Sequence, residues 1–239
     1  MTTEDQPRPR RGAAFFDVDG TLVRTTIVHY YAYFRRRNMR PVIAKIWYAF
    51  FLSKCLIYLV LDKIDRSWFN TLFYRNYRGM SAQDIRQQAG DCYRQVMKST
   101  LHREAQSCVA QHVSDGHIVV LVTGSIDFLV TPLADDLKAA HVLAPTLLER
   151  DGLFTGALDG PPVGGEEKAH RIREFAQQHN IDLALSYAYG DSIADLPMLE
   201  AVGHPVVINP DRRLASIAQK RNWQTYCWTC DSLTEASLA

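Results

Sequence analysis

Ala13-Ala14-Phe15-Phe16-Asp17-Val18-Asp19-Gly20-Thr21-Leu22 opens as an apolar run and stops on a carboxylate. A short apolar run bounded by a turn signal reads as a buried strand. Such a strand in a parallel sheet carries its chemistry at its C-terminal end. Asp17 and Asp19 fall in the turn that follows, where one carboxylate is placed to attack and the other to move protons. Gly20 lets the backbone bend sharply beside them. Asp-x-Asp-Gly alone also occurs in calcium loops, so the rest of the chain has to decide.

Working outward, residues 25–112 show no strand pattern and read as helices, with Ser81 and Asp84 as a capping box and Asp115-Gly116 as the final stop. The rhythm then changes. Strands are expected over 117–122, 142–148, 184–189 and 206–208, with an edge strand over 224–228. Helices are expected over 127–140, 166–179, 193–201 and 211–221. Pro132 is tolerable only near the start of its helix, and Asn180 marks a helix end. Asp151-Gly152 and Asp159-Gly160 bracket a hairpin around 153–158. Strands alternating with helices imply an α/β fold, a Rossmann-like parallel sheet with the long helical stretch inserted after its first strand.

Three further loops carry polar groups suited to phosphate. Thr123-Gly124-Ser125 places a hydroxyl and backbone N–H groups at a strand end before a helix. Lys168, early in a helix after Gly164-Gly165, can neutralise a carboxylate and a phosphoryl oxygen. Asp191-Ser192-Ile193-Ala194-Asp195 sets two carboxylates one helical turn apart after a strand. Magnesium takes oxygen ligands from few carboxylates plus phosphate and water, and Asp17, the Asp19 carbonyl and Asp191 suit it. Caps, turns or a surface lysine would explain each loop singly. Four in order, each tied to a strand or the helix after it, are not explained that way.

These four loops resemble, in order, the motifs of the haloacid dehalogenase (HAD) superfamily. The insertion resembles a C1 helical cap. Phe154-Thr155-Gly156, Gly165-Glu166-Glu167-Lys168 and Val207-Ile208-Asn209-Pro210-Asp211 resemble the phosphoserine-phosphatase-like subfamily IB. The resemblance implies Asp17 as nucleophile and Asp19 as general acid and base. It implies Thr123, Gly124 and Lys168 as phosphate holders, Mg2+ on Asp17, Asp19 and Asp191, and Asp195 with Ser192 in support. The expected organisation is a tail over 1–12, a core over 13–24 plus 112–239, and a cap over 25–111. Phosphoserine phosphatases place an acid shortly after the first motif, whereas Val23-Arg24-Thr25-Thr26-Ile27-Val28 has none. The expected reaction is therefore hydrolysis of a small-molecule or lipid phosphomonoester. A phosphotransferase or a non-catalytic membrane-associated scaffold are the rivals.

With 239 residues, 47% hydrophobic, and a formal net charge of +1, the chain suits a packed globular protein and not a nucleic-acid binder. Five scattered cysteines and a polar, Arg- and Pro-rich start without an apolar leader point to reduced thiols in the cytoplasm. Cys227-Trp228-Thr229-Cys230 lacks the second pair a zinc site needs. Residues 41–61 are strongly apolar, but Lys45 and Lys54 interrupt them and argue against a membrane span. Together with the Arg35-Arg36-Arg37 and Arg40 cluster, residues 35–61 are expected to be cap core, a dimer face or a peripheral membrane contact.

Overall fold

A computed structural model describes residues 11–37, 39–64 and 66–229. Most of the tail expected over 1–12, together with Cys230, lies outside the described residues. Strand β1 (Ala13–Phe16) is followed by six α-helices: α1 (Ile27–Arg37), α2 (Pro41–Ile64), α3 (Arg66–Tyr74), α4 (Ala82–Gln87), α5 (Ala89–Cys92) and α6 (Arg103–Ser114). Then come β2 (Ile118–Val122), α7 (Asp127–Leu137), β3 (His141–Leu143), β4 (Leu147–Arg150), β5 (Leu153–Leu158) and α8 (Glu166–His179). The chain continues through β6 (Tyr187–Gly190), α9 (Leu196–Glu200), β7 (His204–Ile208), α10 (Arg212–Arg221) and β8 (Gln224–Tyr226).

Six strands form one parallel sheet in the order β3-β2-β1-β6-β7-β8. The expected Rossmann-like α/β architecture is what the chain adopts. Strand β1 alternates its side chains between two cores. Ala14 and Phe16 pack with Leu121 and Ile208 on one face; Ala13 and Phe15 pack with Ile172, Phe175 and Leu214 on the other. Successive strands run outward from β1 in one direction through β2 and β3, and in the other through β6, β7 and β8. The C-terminal ends of β1, β2 and β6 therefore meet at the point where the strand order reverses, the usual ligand crevice of such sheets.

Several boundaries differ from the sequence reading. The helix expected over 127–140 ends at Leu137, where Lys138 turns left-handed, and the one expected over 193–201 is a 3-10 turn followed by α9. Strand β7 begins at His204 and β8 ends at Tyr226. Two strands differ more deeply. The run expected as one strand over 142–148 is two strands in different sheets, β3 in the parallel sheet and β4 paired antiparallel with β5. Pro145 lies between them and has no N–H to continue a ladder. The strand expected over 184–189 begins at Tyr187, because Asp182 accepts from the Ala184 N–H and winds Leu183–Leu185 into a 3-10 turn. The β4–β5 turn is of the tight hairpin kind: Asp151 has φ 52° and Gly152 φ 75°.

In the helical insertion, Ile27, Tyr30, Tyr31 and Phe34 recur at helical spacing along α1 and are buried. Tyr31 lies 5.6 Å from Phe51 of α2, 5.7 Å from Phe73 of α3 and 5.2 Å from Tyr77, ring centroid to ring centroid. Such pairs add about 0.5–1.5 kcal/mol each beyond burial. Helix α6 spans the expected boundary at Gln111. It packs on the sheet, where His112 meets Phe16 edge-on and its Nε2 lies 2.7 Å from the Tyr189 hydroxyl. The described cysteines, Cys55, Cys92, Cys108 and Cys227, are free thiols.

Candidate active site

Asp17 leaves the end of β1 with its N–H on the Tyr189 carbonyl at 2.9 Å, which fixes the first loop to strand β6. Its carboxylate is buried. Lys168 Nζ, from the first turn of α8, donates to Asp17 Oδ1 at 2.5 Å and to Asp195 Oδ1 at 2.6 Å. Asp17 Oδ2 is buried without a hydrogen-bond partner. Gly20 is obligatory beside it: its φ is 101°, and a Cβ there would lie 2.5 Å from Asp191 Oδ2.

Asp19 turns to the other side of the site. Its Oδ1 accepts from the Tyr30 hydroxyl at 2.8 Å, and its Oδ2 from Ser125 Oγ at 2.6 Å and Thr123 Oγ1 at 3.3 Å. Thr123 Oγ1 also accepts from the Ser125 N–H at 2.9 Å, so the loop after β2 is held against the first loop. Asp191 Oδ1 accepts from Thr21 Oγ1 at 3.1 Å. Asp195 is a brace: its Oδ2 accepts from the N–H groups of Asp191 and Ser192 at 3.3 and 3.1 Å and from Ser192 Oγ at 3.0 Å. Asp211 holds the same loop from below, its Oδ2 accepting from the Ile193 N–H at 2.8 Å.

Carboxylate oxygens of Asp17, Asp191 and Asp195 lie within 4.8 Å of one another. Burial pushes the Asp17 carboxyl up to about 6, against the pull of Lys168. Burial, then the charges of Asp195 and Asp17, hold Asp191 well above the ordinary carboxylate value. Burial penalises the Asp195 charge too, but Lys168 overrides it and keeps Asp195 below that value. Lys168 is buried against its own charge, yet Asp17 and Asp195 hold its ammonium above the ordinary lysine value. One ammonium thus faces three carboxylates, and the surplus negative charge with the orphaned Asp17 Oδ2 fits a hard divalent cation. The Asp195 oxygens are both engaged, so the fit rests on Asp17 and Asp191. The Asp19 side chain points elsewhere and leaves only its backbone carbonyl for that role.

The site residues expected from the sequence therefore converge: Asp17, Asp19, Thr123, Gly124, Lys168, Asp191, Ser192 and Asp195 surround one end of the sheet. Tyr30, Asn70 and Arg66 were not expected there, and the sequence reading gives Ser125, part of the second loop, no contact of its own. Ser125 stands in the quoted Thr-Gly-Ser, a local signal that its hydroxyl is near. Tyr30, Arg66 and Asn70 arrive on helices α1 and α3, and no local pattern announces them. A cavity of about 310 Å³ opens over the carboxylates, walled by Ile27, Val28, Tyr58 and Phe69 with Arg66 and Asn70 as polar members. The insertion touches the loops directly, with the Tyr74 hydroxyl donating to the Gly124 carbonyl at 2.6 Å.

The family model for haloacid dehalogenase-like hydrolases matches residues 14–200. The chain belongs to that family. A probable phosphatase of Mycobacterium tuberculosis is 34% identical over 240 residues, covering 93% of this chain and 82% of the relative. Among solved structures, a Bordetella pertussis protein of unknown function superposes with a TM-score of 0.78 at 27% identity, over 90% of this chain and 98% of its own. A phosphoserine phosphatase in its apo form superposes with a TM-score of 0.65 at 17% identity, covering 91% of this chain and 93% of its own, a likeness of fold. The family read from the four loops is the one found, and the chain is a hydrolase of that family.

Proposed function

We propose that this hydrolase cleaves phosphomonoesters through a phosphoryl group carried transiently on Asp17, with Mg2+ held by Asp17, Asp191 and the Asp19 backbone carbonyl. The observation that carries this reading is the Asp17 carboxylate: buried, pinned through one oxygen by Lys168, and unpartnered at the other. That is the arrangement of an oriented nucleophile.

In the first step an Asp17 oxygen attacks phosphorus, and the bond from phosphorus to the ester oxygen breaks. The Asp19 carboxyl gives its proton to the departing alcohol. Burial raises Asp19 above the ordinary carboxylate value, against the hydrogen bonds from Ser125 and Tyr30, and a raised carboxyl retains the proton the step needs. In the second step Asp19, now a carboxylate, takes a proton from water as the water oxygen attacks phosphorus. The bond from phosphorus to Asp17 breaks, and inorganic phosphate leaves. Thr123, Gly124 and Lys168 hold the phosphoryl oxygens throughout. When bound, the cation supplies charge that offsets repulsion between Asp17 and the phosphate dianion. Helices α1 to α5 act as the cap that excludes water from the first step.

The substrate is a small-molecule or lipid phosphate whose organic part meets a largely apolar wall with Arg66, Asn70, Thr26 and His29 as its polar members. Ile27, Val28, Tyr58 and Phe69 wall the cavity, and its only acids among the described residues are Asp17 and Asp19. Beyond those two catalytic carboxylates no acid lines it among the described residues to hold an ammonium group, which weighs against phosphoserine, the substrate named for the superposed relative. Phosphate release is measured from an aryl phosphate, phosphoserine, histidinol phosphate, sugar phosphates, lysophosphatidate and phosphatidylglycerophosphate, each with magnesium and with chelator. Magnesium-dependent release with phosphoserine among the poorest substrates is expected. Folded, magnesium-loaded protein that releases phosphate from none of them would overturn the reading.

A further inference from the structure

Helix α2 has two faces of opposite use. Trp47, Phe51, Cys55 and Tyr58 recur at spacings of three and four; Phe51 and Tyr58 are buried, and Cys55 and Tyr58 reach the cavity. The opposite side carries Val42, Ile46, Ala49, Phe50 and Leu56. These are not marginal exposures: Val42 is 70%, Ile46 56%, Phe50 73% and Leu56 66% accessible. At 3.6 residues per turn, Lys45 and Lys54 fall on the two flanks of this outer stripe; Lys45 lines the cleft beside α1, whereas Lys54 turns inward, its Nζ donating to Asn76 Oδ1 at 2.8 Å. An exposed apolar stripe with cations along its rim is the pattern of a helix lying in a membrane interface.

The charge carried by this segment has one sign. Residues 35–61 contain six cations, Arg35, Arg36, Arg37, Arg40, Lys45 and Lys54, and no Asp or Glu. Arg37 pairs with Asp91 at 3.0 Å, and Arg36 lies over the Tyr48 ring at 5.5 Å. Independently of the stripe, a cleft of about 780 Å³ opens where α1 meets α2, lined by Arg36, Arg37, Lys45, Tyr33 and Tyr48. It has room for an anionic headgroup beside the apolar residues. No helix among the described residues is long and apolar enough to cross a membrane, so the stripe has to be met from one side.

We infer that the outer face of α2 docks on an anionic lipid surface, with Val42, Ile46, Phe50 and Leu56 entering the interface and the Arg36-Arg37-Lys45 cleft taking a phosphate headgroup. A second copy of the chain is a poorer occupant. A twofold contact through this face would set the cations of each copy against those of the other, with no Asp or Glu between residues 35 and 61 and with Asp91 already paired to Arg37. Attraction of such clusters to anionic lipid is steep and falls off within a Debye length.

The full chain is mixed with phosphatidylcholine vesicles, with and without about 30% phosphatidylglycerol, and its bound fraction is read by sedimentation. Binding should be at least about tenfold stronger to the anionic vesicles and should weaken as salt is raised. Ile46→Asp and Phe50→Asp should each lower it by about tenfold or more. Arg36→Ser with Lys45→Ser should remove the preference for phosphatidylglycerol. All these residues lie outside the catalytic loops, so hydrolysis of a soluble aryl phosphate should be unchanged in every variant. Equal binding to both vesicles, or none, would overturn the inference. So would a dimer in vesicle-free buffer that Ile46→Asp turns into a monomer, since a second copy would then cover the face. Vesicle binding does not depend on the phosphatase reading: unmodified protein that binds but does not hydrolyse the aryl phosphate would sink that reading and leave the docking intact.

Discussion

Tyr30 reaches 2.8 Å from Asp19 Oδ1 across the boundary between insertion and sheet, and Asp19 is the group that has to give and then take a proton. A hydrogen bond to a carboxylate contributes about 1.5–3 kcal/mol. Tyr30→Phe removes it without opening a cavity; Asp19 then keeps its proton more readily but loses the contact that orients its carboxyl, so kcat for an aryl phosphate should fall by roughly tenfold, with the acid limb of its pH profile moved upward and KM little changed. A KM rise at constant kcat would show that Tyr30 only shapes the pocket. Asp17, Asp19, Thr123, Lys168 and Asp191 were legible in the sequence because strand ends and a helix start announce them, and parallel-sheet geometry brings those ends together. Tyr30 and Arg66 were not legible. Their approach depends on how α1 and α3 cross over the sheet, and side-chain periodicity fixes the buried face of a helix but not its crossing angle.

At the scale of elements, the β4–β5 hairpin ties insertion to sheet. Phe154 is buried on β5, stacks 5.7 Å from Phe128 of α7, and meets Tyr77 of the insertion at 6.4 Å. Its carbonyl accepts from the Gly79 N–H at 2.8 Å and its own N–H donates to the Met80 carbonyl at 2.9 Å. Phe154→Ala should cost about 3–5 kcal/mol in urea unfolding. It should also raise KM, because the cavity wall on α3 loses the strand it leans on. A loss below about 1 kcal/mol would mean that the ring is not part of this core. The hairpin turn was readable from Asp151-Gly152, since both positions take positive φ. The strand before it was misread as a single run because apolar content passes smoothly across residues 142–148, while the break is a missing N–H at Pro145 rather than a change in hydrophobicity.

Across the whole molecule, His112, which packs α6 on the sheet and is 7% exposed, is one source of acid sensitivity, with His102 and His141 also held below the ordinary histidine value by burial. Burial, with the neighbouring His117, lowers His112 to about 4. Its folded value is below the ordinary histidine value near 6.5, so the unfolded chain binds the proton more readily. The neutral form therefore contributes no penalty above about 6.5, and stability is lost as pH falls from there toward 4. The loss should be about 1–3 kcal/mol, and His112→Phe should flatten it relative to the parent. An unchanged slope between pH 6.5 and 4 would place the acid sensitivity elsewhere. That α6 belongs with the sheet was hidden in the sequence. Its polar residues match those of the insertion helices, and its partners Phe16 and Tyr189 lie 96 residues before and 77 after His112.

The central claim is a covalent bond to Asp17. The protein would be turned over with a good phosphomonoester and magnesium, quenched within milliseconds, and reduced with borohydride, which converts an acyl phosphate to the alcohol. Peptide mass spectrometry would then locate the change. Reduction confined to Asp17, absent without substrate, and an Asp17→Asn variant that keeps its fold but loses at least about a thousandfold in rate, are the expected results. Phosphate release with no reduced Asp17, and appreciable activity in Asp17→Asn, would contradict the account.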